Sequence, residues 1–179
     1  MSVMFRPMTA ADVDAAKRVI LGVAGRTFFP DAPEAFLERW WRRVPDVDDW
    51  PHVYGPPRGT FLVATDGDRL IGTGAIRPYD EETAELKRLY LLEQYHGQGL
   101  GYRLTAALFT FAVEAGYRRV RLTTDVTQMR ARRFYERLGF QPIPTYNEGD
   151  DDDDVAMEMP LGPASRWAGA PAARETDAP

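Results

Sequence analysis

LKRLYLLEQYHGQGLG, residues 86–101, joins two kinds of backbone. Its first half, LKRLYLL, reads as a strand, and YRLTAALFTFAVEAG, which follows it, reads as a helix. Between them stand Gly97, Gly99 and Gly101. A loop that only had to turn would need one or two glycines, so three at alternate positions imply that something approaches the backbone closely. The first turn of a helix has four N–H groups without intrahelical partners, and its dipole adds partial positive charge there. A strand, a glycine loop and a helix N-terminus together form an anion site. The loop has no lysine or arginine from Glu93 to Tyr102, so backbone N–H groups would do most of the binding.

The loop is not a nucleoside-triphosphate P-loop, because no Gly-Lys-Ser/Thr follows it. Its G-x-G-x-G spacing also departs from the dinucleotide fingerprint G-x-G-x-x-G. Taken alone it supports a ligand site and a tightly packed turn equally. Composition narrows the classes of function. The chain has 179 residues, 44% hydrophobic and 27% charged, as in an ordinary globular domain. With no cysteine, thiolate metal sites and a cysteine nucleophile are excluded, and two histidines leave little for zinc, so no metal is expected. A net charge of −5 argues against a nucleic-acid partner. No apolar run reaches the ~20 residues of a membrane span, and the first residues lack a signal-peptide core; a cytoplasmic protein is expected, with no membrane partner.

Outward from the loop, MFRPM reads as a strand and Thr9–Asp12 as a capping box that opens a helix through Val13, Ala16, Ile20 and Val23. A second helix is expected from about Asp31, stopped by Pro45, and 46–59, rich in proline and glycine, as loop. GTFLVA and RLIGTGAI flank an Asp-Gly hairpin signal at Thr65–Asp68. A strand at RRVRLTT, a helix from about Gln128 to Leu138 with Gly139 beyond its end, and two closing strands complete a domain over residues 1–160. Residues 161–179, alanine- and proline-rich, are expected to be a disordered tail. The fold class is α/β (α+β): a mixed, mostly antiparallel twisted sheet with helices on both faces.

Residues 86–140 resemble the core of the GNAT superfamily of acyl-CoA-dependent N-acetyltransferases. That family's pyrophosphate loop, Q/R-x-x-G-x-G/A, is matched by Gln94, Gly97 and Gly99. Its preceding strand ends L-x-V, here Leu89-Tyr90-Leu91. Its later helix pattern, N-x-x-A-x-x-x-Y-E-x-L-G-F, is matched by Gln128, Ala131, Tyr135, Glu136, Leu138, Gly139 and Phe140. Three positions depart: His96 for the usual arginine, Glu93 for the common proline, and Gln128 for asparagine.

The resemblance implies acetyl-CoA as cosubstrate and acetyl transfer to a primary amine by direct attack in a ternary complex. Leu89, Tyr90, Leu91, Gln94, His96, Gly97, Gln98, Gly99, Leu100, Gly101 and Gln128 would form the cofactor site. Tyr135 would protonate the departing thiolate; helical spacing with Ala131, Phe134 and Leu138 points it inward, as a plain core tyrosine would also be. Glu85 is the candidate base, against a solvated carboxylate near a sheet edge paired with Lys87 or Arg88. Trp40, Trp41, Phe28, Phe29 and Tyr54 are either acceptor-pocket lining or core. Asp150–Asp154 is either a solvated loop or an attractor of cationic acceptors, and Tyr146 has no assigned role. A protein lysine or N-terminal acetyltransferase, a non-catalytic CoA-binding module and an unrelated phosphate-binding domain are the alternatives. Partners are a small-molecule amine or protein lysine, and a homodimer is compatible with this reading.

Overall fold

Strand β3, Arg69–Pro78, is buried over nearly its whole length, which marks it as interior to a sheet covered on both faces. The computed structural model of the protein describes residues 2–147 and 153–162. The chain enters as β1 (Val3–Pro7) and passes through a 3-10 turn (Ala10–Asp12) into α1 (Val13–Phe28), followed by α2 (Pro33–Trp40), α3 (Pro45–Asp48) and α4 (Trp50–Tyr54). Next come β2 (Thr60–Asp66), β3, β4 (Thr83–Leu91), a 3-10 turn at Glu93–Tyr95, and α5 (Leu100–Glu114). It closes with β5 (Arg119–Asp125), α6 (Met129–Leu138), β6 (Gln141–Ile143) and β7 (Asp154–Pro160). The seven strands lie in the order β1-β2-β3-β4-β5-β7-β6. Only β4 and β5 run parallel; every other pairing is antiparallel.

The sheet separates two cores. On one face α5 and α6 bury Leu104, Leu108, Phe109 and Leu138 against Leu86, Val120 and Leu122. On the other, α1 and the short helices bury Ile20, Val44, Val47 and Tyr54 against Phe61, Val63 and Ala75. Each large apolar side chain removed from water this way stabilises the fold by about 1.5–3 kcal/mol before the entropy of ordering is subtracted. Gly74 sets the spacing of the first core. A Cβ there would meet Leu108 Cδ1 at 2.7 Å and Leu89 Cδ1 at 3.2 Å, so a larger residue would push these side chains of the core aside.

The capping box is formed. The Thr9 N–H and hydroxyl both donate to the Asp12 carboxylate, at 2.8 and 2.7 Å. Arg6 grips the same carboxylate with two nitrogens and holds it well below the usual carboxylate range. The hairpin turns at Gly67, and Gly116 and Gly139 end α5 and α6 in the left-handed region.

Three expectations need correction. Segment 46–59 is not all loop, and Pro45 does not end a helix. Pro45 and Pro51 each lie at the first or second position of a short helix, where the missing proline N–H costs nothing. The tail boundary also moves, because Leu161 is buried and its N–H donates to the Arg118 carbonyl at 2.7 Å. Residues 163–179 lie outside the described residues, as do Asp150–Asp152. Of the acidic run, Asp153 stands in a turn and Asp154 pairs with Asp125 at the start of β7.

Candidate active site

The parallel pair β4–β5 is the origin of the site. Its register holds for only three pairs, Thr83 with Arg119, Ala84 with Val120 and Glu85 with Arg121. Beyond Glu85 the ladder stops, leaving a gap in the pairing between residues 86–91 and 122–125. A bulge in the β3–β4 ladder near Gly74 bends β4 at the same level, where Arg88 takes φ +56°. A non-glycine residue in that region is strained, and something must hold it there. Arg88 is held by two bonds to Asp46 at 2.8 and 2.5 Å, while the Thr73 hydroxyl donates to its carbonyl. Tyr54 donates to the same Asp46 carboxylate. Burial by itself would raise the Asp46 carboxyl; the Arg88 guanidinium and the Tyr54 hydroxyl outweigh it and pull it down.

β4 runs from this gap into the glycine loop. Gly97 and Gly99 have φ +78° and +74°, and a Cβ built on either would find no atom within 4 Å. Those positions are required by backbone angle, and the space above them is open. A Cβ on Gly101 would lie 3.7 Å from the Phe134 ring, so the first turn of α5 abuts α6. Leu100, by contrast, points inward: it is buried with Ala64, Ile71 and Tyr95 and anchors the helix start. Gln98 turns back to donate to the Gln94 carbonyl at 3.1 Å, closing the loop on itself. His96 also turns back, its Nε2 bonding the Leu91 carbonyl at 2.9 Å, while its Nδ1 is buried without a partner. Its ring braces the end of β4. Leu89 packs on the α5 face, Tyr90 pairs with Thr73, and Leu91 pairs with Gly72. Gln128 caps α6, its carbonyl accepting the Arg132 N–H at 2.9 Å.

Tyr135 is buried in the core between α6 and the sheet, its ring 5.7 Å from both Phe134 and Phe140. Its hydroxyl makes no hydrogen bond to a described residue. Burial pushes the phenol up, and the neighbouring Tyr90 adds to this, so it stays protonated at neutral pH.

Glu85 stands at the last rung before the strands part, 1% exposed. It is no solvated residue at a sheet edge, because β4 is the fourth strand of seven. Arg77 grips it at 2.5–2.6 Å, and the Tyr146 hydroxyl reaches its other oxygen at 3.2 Å. Lys87 stands off at 3.8 Å, and Arg88 goes to Asp46 instead. Tyr146 therefore has a place that sequence alone did not give it. Its ring and that of Tyr79 also flank the Arg121 guanidinium, at 4.7 and 4.1 Å.

The aromatics of the first helices divide. Tyr54 is fully buried against Phe61 and belongs to the core. Trp41 stacks under Lys17, whose buried ammonium pairs with Asp48 at 2.8 Å. Phe29, Phe36 and Trp40 form a stack along α2, with Phe28 and Phe29 about half exposed. Among the described residues no helix is long and apolar enough to cross a membrane.

This architecture occurs in solved structures. An N-acetyltransferase from Thermoplasma acidophilum in complex with coenzyme A covers 89% of the chain with a TM-score of 0.75 at 23% identity, the chain covering 99% of it. An acetyltransferase of Streptococcus agalactiae covers 89% with a TM-score of 0.72 at 24% identity, 98% of its own length being matched. By sequence, an uncharacterised N-acetyltransferase of Mycobacterium tuberculosis is 35% identical over 138 residues, 75% of this chain and 85% of the relative. Human N-acetylaspartate synthetase is 32% identical over 123 residues, 68% of this chain. The chain spans only 39% of that protein, and 45% and 48% of the rodent relatives N-acetyltransferase 8 and 8B. The sequence profile of the acetyltransferase (GNAT) family matches residues 24–140. The parted strands, the open glycine loop and the buried tyrosine therefore belong to a member of the GNAT acetyltransferase family.

Proposed function

We propose that the protein transfers an acetyl group from acetyl-CoA to a primary amine by direct attack within a ternary complex. The observation that carries this is the gap between β4 and β5, which opens onto two glycines whose missing side chains leave the loop's backbone uncovered. Residues and cofactor fit. A pyrophosphate needs N–H donors and no Cβ in its way, and Gly97 and Gly99 supply both conditions. A thioester arm carrying amides needs free strand backbone, which residues 86–91 offer on the side facing the gap.

Bound acetyl-CoA supplies an activated acyl carbon, and its thiolate leaves as the amine forms the new C–N bond. With no cysteine in the chain, no cysteinyl acyl-enzyme forms. Tyr135, protonated and without a hydrogen bond to give up, delivers the proton to the departing sulfur. The acceptor must shed a proton, since a free alkylammonium has a pKa near ~10.4. Glu85 takes it through the Tyr146 hydroxyl or a water, because Arg77 and burial keep its own oxygens from direct contact. His96, Gln98 and Leu100 shape the loop, while Gln128 caps the helix that carries Tyr135.

Release of free thiol from acetyl-CoA, followed against a panel of small amines, amino acids and lysine peptides, tests the proposal. Turnover with at least one amine is expected. Turnover confined to peptides would make it a protein acetyltransferase. Tight coenzyme A binding with no turnover on any acceptor would make it a binding module.

A further inference from the structure

Charged residues of alternating sign stand side by side on the adjacent strands β3, β4, β5 and β7. The ladders pair Arg77 with Glu85, Glu85 with Arg121, and Arg121 with Glu158. Arg121 is a member of this row that the mechanism above leaves unused. Its Nη2 donates to Glu158 at 2.9 Å, while its buried Nε finds no partner among the described residues. Aromatic rings take up the rest of the group. The guanidinium lies 4.1 Å from the centroid of the Tyr79 ring and 4.7 Å from that of Tyr146, and the two rings meet edge-on at 5.3 Å. A lysine could balance the charge of Glu158; the planar guanidinium does this and also stacks on rings. Tyr146 needs such a hold, because it stands between the end of β6 and the start of β7, outside the described strand pairings. No ladder fixes its backbone, yet its hydroxyl donates to Glu85 Oε1 at 3.2 Å. Thr123, whose hydroxyl also bonds that phenol, lies on the part of β5 without a β4 partner, and Asn147 donates to it at 3.3 Å. Hydroxyl groups therefore lead from the unpaired stretch of β5 to the buried carboxylate.

We infer that Arg121, together with Tyr79, is a positioning residue that holds the Tyr146 hydroxyl on Glu85 and so makes Tyr146 the group that passes the acceptor's proton to the base. The inference rests on the acetyl-transfer reading above and deepens it. An N–H bond of the acceptor ammonium breaks as its proton moves to the Tyr146 oxygen, and the phenol's own proton moves to Glu85 Oε1. The amine is left neutral with a free electron pair, Glu85 becomes a carboxylic acid, and Tyr146 ends as the phenol it began. Burial and the Glu85 charge hold that phenol above its ordinary value, so both transfers occur together and no phenolate accumulates. Arg77 and Lys87 are the cations that face the Glu85 carboxylate, and Glu158 is the carboxylate that faces Arg121. Two protein groups thus hold Tyr146 in place, one on β5 and one just beyond β3, and neither meets the substrate.

Thiol release by the full chain with the best amine of the panel above, followed from acid to alkaline pH, decides this. Tyr146→Phe keeps the ring over Arg121 and loses only the hydroxyl. Its turnover should fall roughly tenfold at low pH and recover at high pH, where free amine is abundant. Arg121→Lys keeps the charge and loses the stacking plane, and Tyr79→Ala removes the second ring. Each should reproduce the Tyr146→Phe profile in weaker form, with the affinity for acetyl-CoA little changed. Tyr79→Phe, which restores the ring, should restore the rate. In the double variant Arg121→Lys, Tyr146→Phe the two deficits should not multiply, because both act through one hydroxyl. Tyr79 is 43% exposed, so Tyr79→Ala supplies the same cycle with Tyr146→Phe should Arg121→Lys fail to fold. Deficits that multiply, a Tyr146→Phe deficit constant across pH, or wild-type profiles in Arg121→Lys and Tyr79→Ala overturn the inference and leave acetyl transfer standing. No turnover by the wild type with any amine overturns both.

Discussion

The two faces of the sheet are held by different means. On the α5–α6 face, contacts are apolar and the sharp geometry comes from glycine: Gly74 under Leu108, and Gly97 and Gly99 in the loop. On the α1–α4 face, buried charge does the positioning. Lys17 reaches Asp48, Arg88 reaches Asp46 with Tyr54 behind it, and Arg77 reaches Glu85 with Tyr146 behind it. In the proposed reading the cofactor would meet a surface made of backbone, and the acceptor a surface made of ion pairs. A backbone surface suits a ligand that never changes. A charged surface is rebuilt by single substitutions, and that is the side on which acceptors would be told apart.

The largest effect should come from breaking the backbone surface. Gly99→Val places a β-branched side chain in the open space at φ +74° and should abolish acetyl-CoA binding, read by calorimetry, at a stability cost of about 1–3 kcal/mol. Gly67→Val, at φ +58° in the β2–β3 turn, carries the same backbone strain far from the loop and should leave binding intact. Loss of binding in both variants would mean that strain, and not occupied space, is the cause.

Next in size is the charged surface. Arg88→Met leaves Asp46 buried without its cation and should lower stability by about 3 kcal/mol, near the low end of the range for a broken buried pair because both side chains keep some exposure. Denaturant titration reads this, and pH sharpens it. Asp46 is depressed in the folded wild type, so the stability it confers is present above the ordinary carboxylate value near ~4 and is lost as pH falls through the depressed value. In the variant the guanidinium no longer opposes burial, though the Tyr54 hydroxyl still does, and protonation becomes easier. The gap between the two proteins should therefore narrow on acidification.

Tyr135→Phe keeps the ring against Phe134 and Phe140 and removes only a hydroxyl with no bond to a described residue. Turnover should drop by roughly 10²-fold with the dissociation constant for acetyl-CoA little changed, and the melting temperature should hold. The smallest effect belongs to Glu85→Gln. Its deficit should be greatest at low pH, where the amine is mostly protonated, and should fade at high pH, where free amine is supplied by solvent. A deficit constant across the pH profile would assign Glu85 to architecture, as the partner that fixes Arg77.

What could be read from the sequence follows the same division. The glycine loop, Tyr135 and the strand before the loop are local patterns, with every informative residue within a few positions of the next. The Asp46–Arg88 pair joins residues 42 apart, and Tyr146 finds Glu85 across 61. Nothing near Asp46 announces that its partner is a strained residue at a bulge. Proline misled for a related reason. Pro45 and Pro51 exclude helix before them as firmly as they favour helix after them, and only the packing of Val47 and Tyr54 shows which applies. Leu161 reads as tail from its company, whereas its N–H bonds Arg118, far back in the chain, and its side chain joins the α5–α6 core.

The brevity of the β4–β5 ladder has a consequence for the free protein. Strand edges with unpaired N–H and C=O groups are ordinarily found at the rim of a sheet, where proteins cover or charge them against sticking to other chains. Here two such edges lie in the middle of a seven-stranded sheet, joined at one end like the limbs of a clothes-peg. A ligand arm between them would serve as a surrogate strand, and the proposed cofactor would then also be part of the scaffold. Saturation at a hundred times its dissociation constant would add about 2.7 kcal/mol to the folded state. The apoprotein, with its seam open, should be the form that aggregates first on heating.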